Sequence, residues 1–578
     1  MAFTNQYLID FFKQRMLELF DENTLDSYSV RTCNTMSMFC EMKEMLEGWV
    51  AGNVKHGNTV ARCVEECISM IDIDEWMDFS FFDKKKTIAA LEDFTRKVSK
   101  IKDSRDKNET DTCEARYIHH LVNTCISAND TSYLSTLISS IKVDLFSEKT
   151  YQNEDFSEVI HNLDIRLSFL ATELLRRGYS KPYLYFFFKS IKENKKGLLF
   201  PDAFEQLQDK FGAVQQYEDI VIIKMSFQSK NVPEMENMVD EVPADYLDLM
   251  LDSTKGLFKK APNRRFYIVK EIAADTNSAL QKARLRLSRA LDINDIGLVN
   301  ISNNAAILYT KDGRPAIRLE RNFEKNRVSS EAKPLPSIIQ SIVNSEIISK
   351  DIKDRLDTAL RHLRVGDEQT EIEQRFLNYW IGLEFIFSTP KSGDSTFIRI
   401  IEKFPTIKTL YYLKRNVLNL DSRLKEKGLL GDEDSFGKWS EKQMDLAYDA
   451  TEDVLLKYRI KCMKSHLHHT DKVKDYLGRH IKTLGWHISR IYHLRNELVH
   501  EAAINHNIEG VATNLRSYLV FMLNLMLDYC NVHLKRSFKD PLTMENFFWY
   551  YELLWEKCTP EYDKNSFLDF DIPKSIVS

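Results

Sequence analysis

The run from Val473 to Ala502 constrains this chain more than any other. Val473, Leu477, Ile481, Leu484, Ile488, Ile491, Leu498 and Ala502 recur at steps of three, four and seven, which is one face of an α-helix. Arg495 falls on that face. Where the period calls for an apolar residue the chain supplies a permanent cation, whose burial is costly unless it is paired or used. Asn496 and His500 are four apart and lie one above the other on a neighbouring face. Arg495 and His500 are five apart, roughly 140° around a 3.6-residue turn. They meet at one ligand only if the arginine wraps round, the helix loosens, or a second copy of the helix packs against the first.

At 578 residues the chain is too long for one core. Its net charge of -6 excludes a uniformly basic nucleic-acid coat, so any such contact must use a local patch. The opening MAFTNQYLIDFF lacks a basic segment before an apolar core, and no run reaches the length of a membrane span. The expectation is a cytoplasmic protein with no membrane partner. The nine cysteines are irregularly spaced and do not make a disulfide scaffold. Cys63 and Cys67, with His119, His120 and Cys125 later, allow a zinc site, but buried thiols on amphipathic helices are the expected reading.

The fold class read from the pattern is predominantly α, with a small α+β module in the middle. Residues 1–212 read as helical, with Thr4 as N-cap of a first helix and a charged loop at Lys102 to Thr112. Nothing there signals chemistry, and a sensor or regulatory role is the expectation. Residues 213–328 form the module. Asp219 to Phe227 and Phe266 to Ile272 read as strands, Asp275 caps a helix to about Ala290, and Ile307 to Thr310 and Ala316 to Leu319 flank the turn Lys311-Asp312-Gly313-Arg314. Pro315 beside that turn marks an edge strand. Lys259, Lys260, Arg264 and Arg265 cluster beside Phe258 and Tyr267, while Lys282, Arg286 and Arg289 line a helical stripe. Cations interleaved with aromatics suit a phosphate backbone and an unstacked base, which makes the first four a candidate RNA contact; a solvated charged face is the other reading.

Glu324 to Pro336 reads as a linker. Beyond it, residues 337–540 read as a helical bundle: a helix capped by Ser337 and running through Ile348, another from Ile352 to Leu363, then the aromatic-rich Glu371 to Phe387. Glu384 lies within that last apolar surround, where a carboxylate needs a partner; Arg495 is one candidate and solvent the alternative. Residues 389–470 read as an insertion with one helix from Glu441 to Met463, followed by His466, His468 and His469, whose spacing fits a solvated turn better than a metal site. A last strong helix spans Asn507 to Arg536, and 541–578 is an aromatic-rich extension that thins into a tail.

A helix containing WIGLEFIF, a helix ending in RNELVH and one further amphipathic helix, in that order, resemble the HEPN superfamily and within it the Apea-like branch of bacterial defence proteins. The resemblance covers about 340–540. Arg followed by His after four to six residues also occurs at Arg355 and His362 and at Arg459 and His466, so the string alone says little. The adjacent asparagine and the flanking helices single out Arg495, Asn496 and His500. The resemblance implies a metal-independent endoribonuclease with no cofactor, cutting RNA by attack of a 2′-hydroxyl on the neighbouring phosphorus. His500 would then act as general base or acid and Arg495 would stabilise charge on the phosphate. Asn496 would orient the histidine or bind phosphate. It further implies a homodimer in which two motifs face each other, and a toxin-like effector of anti-phage defence (abortive infection) answering a phage-derived trigger. A non-catalytic HEPN module for dimerisation or nucleotide binding is the alternative it leaves open.

Overall fold

A computed structural model describes residues 5–21, 33–80, 83–102, 104–146, 156–194, 197, 199–212, 216–227, 234–250, 255–293, 299–309, 315–319, 335–369, 371–388, 396–500, 508–534, 541–559 and 562–569. The protein is predominantly α-helical with a small α+β module, as its periodicity predicts. No helix among the described residues is long and apolar enough to cross a membrane.

The first nine helices are α1 (Asn5–Phe20), α2 (Thr35–Ala51), α3 (Gly57–Ile73), α4 (Lys84–Val98), α5 (Glu109–Asn129), α6 (Tyr133–Phe146), α7 (Phe156–Arg176), α8 (Lys181–Lys192) and α9 (Phe200–Phe211). They bury two apolar clusters, one around Phe11, Phe12 and Phe188 and one around Phe39, Trp49 and Val64. Thr4 lies outside the described residues. The expected loop at Lys102 to Thr112 is shorter than read: Asn108 and Asp111 form a reciprocal capping box that starts α5 at Glu109, so the charged run contains the cap that ends it.

The module is an antiparallel five-stranded sheet in the order β2-β3-β1-β4-β5. Its strands are β1 (Tyr217–Phe227), β2 (Met238–Val239), β3 (Arg264–Ala273), β4 (Val299–Tyr309) and β5 (Pro315–Leu319), with a short helix α10 (Ala244–Asp248) before β3. Helix α11 (Thr276–Ile293) packs on the sheet through Ala279, Ala283 and Leu287. Asp275 caps it by accepting from Asn277 N and Ser278 N. Pro315 opens the edge strand, where a missing N–H costs no ladder bond. The 310–314 turn lies outside the described residues.

The remaining helices are α12 (Leu335–Asn344), α13 (Lys350–Glu368), α14 (Ile372–Phe387), α15 (Thr396–Leu410), α16 (Tyr412–Glu426), α17 (Glu441–Ala450), α18 (Val454–Leu467), α19 (Thr470–His500), α20 (Ile508–His533), α21 (Met544–Cys558) and α22 (Lys564–Leu568). One apolar cluster runs through them, from Ile338 to Phe567. Ser337 lies inside α12, which starts earlier because Pro336 is tolerated in a first turn. Ile348 lies beyond that helix and forms an isolated parallel bridge with Leu542. The stretch 389–470, expected to be an insertion, contributes Phe397, Ile400, Phe404, Leu413 and Leu456 to the same core. Its expected single helix is two, because Asp453 caps a fresh start at Val454. Helix α14 is central, with Phe376, Tyr379, Trp380, Leu383 and Ile386 buried. Gly382 lets α13 and α20 close on it: a Cβ there would meet Leu519 Cδ2 at 2.9 Å and His362 Cβ at 3.3 Å.

Two charged seams join the halves. At the first, Glu18 of α1 takes Arg15 at 2.9 Å, Arg423 at 2.7 Å and Arg459 at 2.7 Å. At the second, Arg490 of α19 reaches Glu41 at 2.6 Å and Glu66 at 2.8 Å, on α2 and α3.

Candidate functional site

Helix α19 carries the site residues on one unbroken rod ending at His500. The helix does not loosen between Arg495 and His500, so the five-residue offset persists in the backbone. The side chain of His500 lies outside the described residues. Arg495 is half-buried and donates from Nη1 to Asn496 Oδ1 at 3.1 Å. Asn496 thus holds the guanidinium of its neighbour, a role the sequence reading did not give it.

Glu384 does not meet Arg495. It is half-buried on α14 and forms no hydrogen bond or ion pair with the arginine. Where α14 and α19 pack, rings meet instead: Tyr492 of α19 lies 5.9 Å from Trp380 of α14 and stacks on Phe397 of α15 at 3.9 Å. With Glu384 partly open to water, neither charge requires the other.

The other two Arg…His strings are structural. Arg355 closes the end of α14, donating to Phe385 O at 2.8 Å and to Ser388 O, and pairs with Asp351 at 2.8 Å. Arg459 is held on Glu18. His466 stacks on Tyr476 at 4.3 Å, and burial pushes its ring down to about 4. By contrast, the hydrogen bond to Asn496 is the one Arg495 makes among the described residues.

An acid-base pair missed in the sequence lies beside the motif. His493 Nε2 is 3.0 Å from Glu497 Oε1, an ion-pair distance without hydrogen-bond alignment. Glu44 of α2 faces the same group; burial and then Glu497 and Glu41 push its carboxyl up. The signal was available, since His493 and Glu497 are spaced i, i+4. The acids of α2 were not, because they come from some 450 positions away in sequence.

The candidate RNA contact is gathered at the start of β3, but it is partly neutralised. Arg265 pairs with Asp240 at 2.6 Å and Lys260 with Glu241 at 3.4 Å, while Arg264 donates to Lys259 O at 2.6 Å. Lys259 and Lys260 are exposed. Cys63, Cys67 and Cys125 are buried thiols outside any disulfide, and burial pushes the Cys67 thiol well up. His119 instead lies 2.8 Å from Glu47. Among the described residues no group of three or more His, Cys, Asp and Glu side chains is placed to hold a metal. Comparison with known families, with curated proteins and with solved structures finds no match.

Proposed function

We propose that this chain is a metal-independent endoribonuclease of the HEPN type, with Arg495, Asn496 and His500 as its working residues. The observation that carries the reading is the contrast among the three Arg…His strings. Arg355 and Arg459 are tied to carbonyls and carboxylates, whereas Arg495, half-exposed at the end of α19, is steadied by a neutral amide and keeps donors for a phosphate. In the reaction, a base takes the proton of the 2′-hydroxyl, the oxygen attacks phosphorus, and the 5′-oxygen leaves with a proton, giving a cyclic phosphate. His500 supplies the titratable group and Arg495 the fixed cation for the developing charge.

The unbroken helix favours action in pairs, with Arg495 of one copy and His500 of another meeting at one phosphate. We therefore propose a homodimer. Lys259, Lys260, Arg264 and Arg265 are proposed to guide RNA, and the enzyme to act in the cytoplasm as a toxin-like effector of anti-phage defence, restrained until a phage-derived trigger arrives. The seam of Arg490 with Glu41 and Glu66 offers the helical N-terminal half a handle on α19. The decisive experiment is RNA cleavage by the purified full chain in EDTA, with and without Arg495→Ala and His500→Ala. Cleavage that persists in EDTA and disappears in both variants supports the reading. Cleavage abolished by EDTA overturns the mechanism, and tight nucleotide binding without cleavage favours a scaffold.

A further inference from the structure

Far from Arg495 on the same helix, α15, α16 and α19 bring Lys408, Arg415 and His480 together. Lys408 of α15 and His480 of α19 are both 6 % exposed. With Arg415 and the rings of Tyr411, Tyr412 and Phe521 they line a cavity of about 10 Å³, room for roughly one small atom or ion. Lys408 makes no ion pair among the described residues; its ammonium lies over Phe521 at 4.4 Å and Tyr518 at 5.3 Å. The charges that act on Lys408 and His480 are Arg415 and, on the histidine, Lys408 as well. All are positive. A buried cation surrounded by like charge is costly in this setting, and ring faces offset only part of that cost.

The histidine ring is held in place. Its ring is fixed by stacking on Tyr412 at 3.6 Å and by a 2.8 Å hydrogen bond between Nδ1 and Thr409 Oγ1. Burial, with Arg415 and Lys408 beside it, holds the ring well below its usual range and therefore neutral. In the tautomer in which the Thr409 hydroxyl donates to Nδ1, the ring proton sits on Nε2. That buried nitrogen has no hydrogen-bond partner among the described residues. Buried donors of this kind are satisfied in folded proteins by protein, water or a bound group.

We propose that the cavity binds a small inorganic anion of chloride size, held by the Lys408 ammonium, the Arg415 guanidinium and the His480 Nε2–H. The anion supplies the missing counter-charge and pins α15 and α16 to α19. The site lies about 22 Å along the helix from Arg495 by the 1.5 Å rise per residue, and it is independent of RNA cleavage.

Bromide is the probe. Crystals of the full chain soaked in sodium bromide should show an anomalous peak within hydrogen-bond reach of Lys408 Nζ and His480 Nε2; no peak there overturns the proposal. In solution, replacing gluconate by bromide at constant ionic strength should raise the melting temperature of the wild type with a saturating curve. Lys408→Met should abolish that dependence. If the cavity holds only water and the lysine is simply neutral, melting is indifferent to bromide and the methionine variant is at least as stable as wild type; that result also overturns the proposal. Should the variant fail to fold, the bromide peak in wild-type crystals decides alone.

Discussion

Arg459 on α18 and Arg495 on α19 head strings that read alike, and the molecule uses them in opposite ways. Arg459 lies at the first seam, where one carboxylate serves three guanidinium groups. Burial raises the Glu18 carboxyl, and Arg459, Arg15 and Arg423 more than reverse this, holding it at about 2. Arg495 faces no carboxylate among the described residues and is steadied by Asn496. A buried arginine with a full set of partners is architecture; one left half-open beside a neutral amide can take a ligand. What separates them is the company each keeps, which a string does not record.

The contrast breaks most sharply at Glu18. Glu18→Gln leaves three arginines around a neutral amide and should cost about 3–5 kcal/mol, read by urea denaturation; a loss near zero would mean the seam holds nothing together. Next comes Arg495→Ala, for which RNA cleavage should fall about 10²–10³-fold, some 2.7–4 kcal/mol of barrier, with the melting temperature unchanged. A variant that melts early would put Arg495 in the same class as Arg459. Arg490→Met removes the 2.8 Å ion pair of Glu66, which is 2 % exposed, and should cost about 1–3 kcal/mol. Hydrogen exchange should then quicken in α2 and α3 while α13 and α14 stay protected.

The smallest effects are in pH. Glu18, whose carboxyl is depressed in the folded protein, contributes stability that is complete above the ordinary carboxylate range and is lost as pH falls through about 2. His466, also depressed, to about 4, binds its proton more readily when unfolded. Stability should therefore rise with pH from about 4 to its ordinary value of 6.5 and level off above it. His466→Phe should reduce the slope in that window in thermal melts taken across it, leaving the share of His480 and His468, whose rings are depressed as well; an unchanged slope would place the titration elsewhere.

The stripe along α19 and the aromatic centre of α14 were legible because burial of one helix face imposes a period. The same rule would have shown His480, three residues after Leu477 and four before Leu484, as a core position, but a lone histidine was passed over there. The stretch 389–470 reads as an insertion because its acidic and glycine-bearing loops interrupt the helical period, yet its helices join the core. Phe397, Ile400 and Phe404, spaced three and four apart, carried the contrary signal. The partner expected for Glu384 differs for another reason: helix neighbours can be guessed from pattern, yet the side chains that meet between them, here Trp380 and Tyr492, cannot. Contacts such as Glu18 with Arg459 span 441 positions, and nothing local announces them.

The bridge between Ile348 and Leu542 has a practical consequence. Ser349 N donates to Leu542 O at 2.9 Å and Leu542 N to Ile347 O at 2.7 Å, so the segments that lead into α13 and α21 are stitched into a closed circuit nearly two hundred residues round. Opening such a circuit forfeits the loop closure that folding has already achieved. A cut at residue 540, where the aromatic-rich extension begins, would release that stitch together with Phe547, Phe548 and Tyr551. For expression of the bundle by itself, the natural end lies past Phe567.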